Sequence, residues 1–261
     1  MLFRFVAELP SVQLAELQGD ASLLSRRERK YLVPIDVATS LVAALSGSAF
    51  ALEIDGDRAF HYQSVYFDTP EEVSYLATAR RRRHAFKVRT RTYIESGDCV
   101  LEVKLRGSRG RTIKSRLDYP TTSNGQLTAS GRTFVQQILG ADHVAELQPT
   151  LTTTYRRSTL LLSGDTRLTI DTDFRAETPA GAQVGLDGFA IIESKSRSAP
   201  TGADHALWRM GFRPIRLSKF GTSLAALDPA RPSNRWTRAL RSSWTGRRTQ
   251  DRKSTRLNSS H

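Results

Sequence analysis

Phe86-Lys87-Val88-Arg89-Thr90-Arg91-Thr92-Tyr93, followed closely by Val100-Leu101-Glu102-Val103-Lys104-Leu105-Arg106, decides how the rest of the chain is read. Both segments alternate with a period of two residues, which is the pattern of β-strands. In the first, Lys87, Arg89, Arg91 and Tyr93 share one face; Phe86, Val88, Thr90 and Thr92 share the other. In the second, Glu102, Lys104 and Arg106 oppose Leu101, Val103 and Leu105. An ordinary half-buried sheet turns such charges to water. A barrel with helices on its outside would turn them inward, around a ligand.

Six further segments carry strand patterns: 26–33, 63–69, 111–119, 151–163, 166–177 and 190–195. Several of them also place charges at alternate positions, such as Arg26, Glu28 and Lys30, or Thr112, Lys114, Arg116 and Asp118. Helices are expected over 34–45, 71–79, 132–139, 201–211 and 218–227, with one or two more before residue 25 around Leu14 and Leu17. Closing eight strands into a barrel removes the sheet edges and encloses a small ligand. The expected fold class is therefore α+β, an eight-stranded antiparallel β-barrel with flanking helices. An open sheet with one charged face is the alternative.

Residues 1–229 read as a single domain. The tail, 230–261, is Arg/Ser/Thr-rich with few apolar anchors beyond Trp236, Leu240 and Trp244, and its composition predicts disorder. Its end, Arg252 to His261, reads as appended, non-native sequence. The tail holds nine Lys/Arg against one Asp, so it carries +8 of the formal net charge of +13 and the body carries +5. Such an excess favours a polyanionic partner. One cysteine, Cys99, excludes an internal disulfide and a cysteine-based metal cluster. No apolar run approaches a membrane span, and the first residues lack a secretory core, so a cytoplasmic location is expected.

If the charged faces converge, many cations compete for one interior. They include Lys30, Lys87, Arg89, Arg91, Lys104, Lys114, Arg157, Arg167 and Lys195. Buried together they would repel one another unless an anion sits among them. A polyphosphate chain supplies closely spaced oxygens that Arg grips in pairs and Lys meets as a point charge. The plainer reading is an exposed basic face. Glu28, Glu102 and Glu193 each precede a lysine by two residues on the cation-bearing side of a strand. Such carboxylates suit Mg²⁺ or Mn²⁺, and they equally suit cross-strand ion pairs. Ser218-Lys219-Phe220-Gly221 opens the last helix, either as a serine cap or as a phosphate cradle. The five histidines have no ligand spacing, and no P-loop or Gly-x-Gly-x-x-Gly is present. Nucleic acid is disfavoured, because Tyr93 and Tyr155 are the only convincing aromatics on the charged faces.

Taken in order, these segments resemble the polyphosphate polymerase domain of the vacuolar transporter chaperone (VTC) family, within the triphosphate tunnel metalloenzyme superfamily. The matching pieces are Glu28–Tyr31, Ser64–Thr69, Lys87–Tyr93, Leu101–Lys104, Arg111–Lys114, Tyr155–Arg157, Arg167–Thr172, Ile192–Lys195 and Leu217–Phe220, spanning about 25–228. The resemblance implies a tunnel that binds the triphosphate of ATP with Mn²⁺ or Mg²⁺ and moves the γ-phosphate onto polyphosphate. Arg89, Arg91, Lys104, Arg157 and Lys219 would carry the transfer. Lys30, Lys114, Tyr155, Arg167 and Ser218 would hold phosphate, and Glu193, with Glu28 and Glu102, the metal. Implied partners are ATP and polyphosphate, pyrophosphate or triphosphate, with room for association with a separate membrane protein. Relatives that hydrolyse triphosphate open with Glu-x-Glu-x-Lys. Here Arg26 takes the first position, which leans toward the polymerase and keeps a triphosphatase as the alternative.

Overall fold

The computed structural model describes residues 2–18, 27–106, 112–140, 144–163, 166–197, 199–241 and 244–246. The elements run α1 (Leu2–Ala7), β1 (Ser11–Val12), α2 (Leu14–Gln18), β2 (Arg27–Pro34), α3 (Ile35–Ala44), β3 (Ala49–Leu52) and β4 (Phe60–Asp68). They continue with α4 (Val73–Ala79), β5 (Phe86–Tyr93), β6 (Cys99–Arg106), β7 (Thr112–Tyr119), α5 (Ala129–Leu139), β8 (Gln148–Leu162) and β9 (Thr166–Glu177). The chain closes with β10 (Gln183–Gly185), β11 (Phe189–Ser196), α6 (Gly202–Arg209), α7 (Lys219–Leu227) and α8 (Thr237–Leu240). The long strands form one sheet in the order β2-β11-β9-β8-β4-β5-β6-β7, with β1, β3 and β10 added at its side. Every adjacent pair along that path is antiparallel. The fold is α+β as expected, built on eight long antiparallel strands with flanking helices. The path has two ends, β2 and β7, so hydrogen bonds among the described residues do not close it into a full ring.

The alternation in β5 and β6 now resolves. Phe86, Val88, Leu101 and Val103 face outward and are sealed by Val135 of α5 in one core. Tyr31, Val33, Leu160, Leu168, Ile170, Ala190 and Ile192 face outward at the other end of the path, against α1, α3 and α6. Two helical layers therefore cover the outside, and the charged positions are left on the inside. Local chemistry fixes those layers. Thr201 and Asp204 make a capping box on α6, and Asp204 also accepts from the hydroxyls of Tyr31 and Ser194, 2.6 Å each, tying α6 to β2 and β11. Asp68 ends β4 and accepts the backbone N–H groups of Ser74 and Tyr75, both at 2.8 Å, which satisfies the first turn of α4.

A third core lies on the inner side. There Leu32 of β2, Ile191 of β11, Tyr66 of β4 and Phe174 of β9 join Phe220 and Leu224 of α7. Leu32 and Tyr66 stand four strands apart along the path, so the sheet curls around α7. The tail extends this core. Trp236 is buried beside Tyr75 and lies against Gly221, where any side chain would meet the indole ring at 2.4 Å. Trp244 packs edge-on to Phe174. The expected disorder after 229 thus does not hold for 234–241 and 244–246: two tryptophans outweigh the polar composition around them. Residues 247–261, Arg26 and the connections at 107–111 and 164–165 lie outside the described residues. Leu14, expected to pack, is 44% exposed.

Candidate functional site

Cross-strand register places the inner side chains in rows. On β5, β6 and β7, Lys87 lies opposite Lys104, and Lys104 opposite Lys114. The next row is Arg89, Glu102, Arg116, and the row beyond is Arg91, Val100, Asp118. Like charges directly opposite one another destabilise a sheet. Lys114 escapes toward the neighbouring row by pairing with Glu102. Lys87 and Lys104 find no carboxylate within ion-pair distance among the described residues; the Lys87 ammonium donates instead to the Ser218 hydroxyl at 2.9 Å. Burial, together with Lys30 and Arg89, pushes the Lys87 ammonium down to about 7. The Arg89 charge, and then burial, hold Lys104 well below the ordinary lysine range. Both lysines are therefore poised to gain from an anion.

Glu102 is the centre of the second row. It is fully buried, and its Oε2 accepts from Arg89 Nε at 2.7 Å while its Oε1 accepts from Arg116 Nε at 2.9 Å and pairs with Lys114. Burial would raise its carboxyl; Arg89, Arg91 and Lys114 outweigh that and hold it far below the usual range. Both oxygens are occupied by cations in this structure. Its role is to brace the arginine row.

Beyond that row the arginines meet tyrosines. Arg89 Nη1 donates to Tyr66 Oη at 3.0 Å. Arg91 donates to Ser64 Oγ at 3.2 Å and to Tyr155 Oη at 3.0 Å. Tyr62 stacks on Tyr155 at 5.3 Å between ring centres. Burial would raise the Tyr155 phenol, yet Arg91, Arg157 and Lys219 outweigh it and lower it.

On the facing strands the charges are paired. Arg157 of β8 and Asp171 of β9 are cross-strand partners, joined in a fork at 2.6 and 2.8 Å. Lys219 of α7 also pairs with Asp171 and sits 4.5 Å from the Tyr155 ring centre. Burial would raise Asp171; Arg157 and Lys219 instead bring it to about 2. Ser218 caps α7 by accepting from the Gly221 N–H at 3.1 Å. The cap and the contact to Lys87 are made by one hydroxyl.

At the β2 edge, Lys30 and Lys195 each reach both Glu193 and Glu28, with Lys30 at 3.4 and 3.9 Å and Lys195 at 2.9 and 3.8 Å. Burial would raise Glu193, but Lys30, Lys195 and Arg157 hold it well below the usual range. Glu28 remains half exposed. Arg167 lies opposite Lys195 across β9 and β11. Among the described residues, no three His, Cys, Asp or Glu side chains gather as a ligand set. Mg²⁺ and Mn²⁺ commonly take only one or two protein carboxylates beside phosphate oxygens, a requirement that Glu193 and Glu28 satisfy.

The structure thus brings Lys30, Arg89, Arg91, Lys104, Lys114, Tyr155, Arg157, Arg167, Ser218 and Lys219 to one inner surface. Reading the sequence did not single out Asp171, Tyr62, Ser64 or Tyr66. Strand alternation offered the signal: Asp171 lies opposite Arg157, and Tyr62, Ser64 and Tyr66 share the inner face of β4.

The site is thus the antiparallel sheet of an α+β fold wrapped around one helix, with a cation-lined inner face. Residues 25–228 match the family model of the VTC domain, and the chain belongs to that family. No curated protein matches the sequence. Among solved structures, a candidate adenylate cyclase from Vibrio parahaemolyticus is similar at 14% identity and a TM-score of 0.41, over 73% of this chain and 85% of that one. A candidate adenylyl cyclase from Hippeastrum, described as having a dominant triphosphatase activity, is similar at 17% identity and 0.40, over 70% and 95%. The Pct1 RNA triphosphatase of S. pombe is similar at 10% identity and 0.28, over 76% and 80%. No helix among the described residues is long and apolar enough to cross a membrane.

Proposed function

We propose that the chain is a metal-dependent polyphosphate polymerase, transferring the γ-phosphate of ATP onto a growing inorganic polyphosphate chain. The observation that carries this reading is the row of Lys87 and Lys104, two inward lysines with lowered pKa values and no carboxylate partner. Membership of the VTC-domain family supports it. A terminal oxygen of the chain attacks the γ-phosphorus, a P–O–P linkage forms, and the bond from that phosphorus to the β-bridging oxygen breaks. ADP departs with the electron pair. Such transfer needs in-line positioning and neutralised equatorial oxygens rather than a covalent protein intermediate.

Arg89, Arg91 and Lys104 neutralise the transferred group from one side, and Arg157 and Lys219 from the other. Lys30, Lys114, Tyr155, Arg167 and Ser218 hold neighbouring phosphates. Asp171 keeps Arg157 and Lys219 oriented before substrate arrives. Glu193 and Glu28 would hold Mn²⁺ or Mg²⁺, which, when bound, screens phosphate charge. Incubation with ATP and Mn²⁺, followed by a polyphosphate gel and an ADP assay, tests the proposal. Chains appearing with matching ADP support it. Orthophosphate and ADP without chains would identify a triphosphatase instead.

A further inference from the structure

A second cationic site opens beside the inner face. A cavity of about 520 Å³ is lined by Arg80 and Arg81 after α4, Arg216, and Arg235 and Arg238 from the C-terminal segment, with no carboxylate among its lining residues. Arg235 is half-buried and donates to the Thr78 carbonyl at 3.2 Å. Burial, Arg216 and Arg106 all disfavour its charge. Arg81 is held at φ 57°, a left-handed backbone that non-glycine residues avoid, and its carbonyl accepts from Arg106 at 3.2 Å. Among the described residues, none of these arginines has a carboxylate within ion-pair distance.

The cavity continues the lysine row. Arg106 belongs to the inner face of β6, two residues beyond Lys104, and it reaches Arg81 on the cavity rim. Arg235 also lowers the Lys87 ammonium. Ile215, a wall residue, donates its N–H to the Lys30 carbonyl at 2.7 Å. The cavity is therefore tied to the inner face by the hydrogen bonds of Arg106 to Arg81 and of Ile215 to Lys30. Arg235 and Arg238 follow residue 228, where the family match ends, so this extension belongs to the chain's own C-terminal segment.

We infer that this arginine cavity is an outer oligophosphate subsite, which grips polyphosphate units beyond those held on the inner face. The inference rests on the proposed polyphosphate chemistry and says where a longer chain goes. Two linked subsites on one polyanion raise affinity through effective concentration. Short oligophosphates fill the inner face alone, whereas long chains span both.

Calorimetric titration of the full chain with tripolyphosphate and with long-chain polyphosphate tests this. Wild type is expected to bind the long chain at least about tenfold more tightly than tripolyphosphate. Arg216→Glu with Arg238→Glu, both exposed positions, should remove that preference while leaving tripolyphosphate affinity unchanged; Arg235→Gln should reduce it. A preference that survives the double variant would overturn the inference. Two equal tripolyphosphate sites without chain-length preference would also overturn it, marking a separate effector site. Polymer synthesis is scored separately: its absence in wild type removes the polymerase reading, while the chain-length preference still decides the subsite.

Discussion

The two halves of the inner surface solve the burial of charge differently. Across β8, β9 and α7, Arg157 and Lys219 share one buried carboxylate, Asp171, and across β2 and β11 Lys30 and Lys195 share Glu193. Across β5, β6 and β7, Lys87, Arg89, Arg91, Lys104, Lys114 and Arg116 face one buried carboxylate, Glu102. The first half is complete without ligand; its cations are held in place by fixed partners. The second half is short of negative charge, and its lysines sit below the ordinary lysine range, Lys87 and Lys114 chiefly through burial and Lys104 chiefly through the Arg89 charge. A surface optimised only for stability would balance both halves. Under the proposed function, the imbalance marks the side that a polyanion would complete.

Breaking the balanced half should do the most damage. Asp171→Ala leaves two buried cations uncompensated and should destabilise the protein by about 3–5 kcal/mol, read by urea unfolding, while abolishing polymer synthesis. Trp236→Ala comes next, because it empties the space beneath Gly221; a loss of about 3–5 kcal/mol is expected for a large core aromatic. A neutral result there would restore the view of the tail as an appendage.

The unbalanced half should respond with the opposite sign. Lys104→Met removes a cation that has no carboxylate partner, so the ligand-free protein should gain about 1 kcal/mol, a rise of roughly 2–4 °C in Tm. Tripolyphosphate affinity should fall in the same variant. Loss of both stability and binding would contradict the comparison.

A pH dependence sharpens the same comparison. Lys87 titrates at about 7 in the folded protein against an ordinary 10.5. Between these values the unfolded chain binds more protons, so the contribution of Lys87 to ligand-free stability rises with pH across that window. A bound anion restores the ammonium, so tripolyphosphate affinity should fall over the same range. Thermal melts from pH 7 to 9 should show stability rising with pH without tripolyphosphate and a flat profile at saturating tripolyphosphate.

Much of this was legible before any coordinates. Strict alternation in 86–93 and 99–106 gave the strands, their boundaries and the partition of charge. β1, β3 and β10 escaped because two to four residues are too few to show a period. Asp171 escaped because its meaning lies in Arg157, fourteen positions away along the chain and opposite across the sheet. The partners of Glu102 escaped for a related reason: Glu-x-Lys spacing shows a shared face but not that Arg89 and Arg116 engage its two oxygens. The tail misled because average composition hides two tryptophans whose partners, Tyr75 and Phe174, come from elsewhere in the fold.

The central claim is that the lysine row is an oligophosphate site, and proton-linked calorimetry tests it most directly. Tripolyphosphate is titrated into wild type and into the Lys87→Met/Lys104→Met variant near pH 8, in two buffers of different ionisation enthalpy. Net proton uptake on binding to wild type, with both uptake and tight binding lost in the variant, is the expected result. Binding without proton uptake, or undiminished binding by the variant, would contradict it.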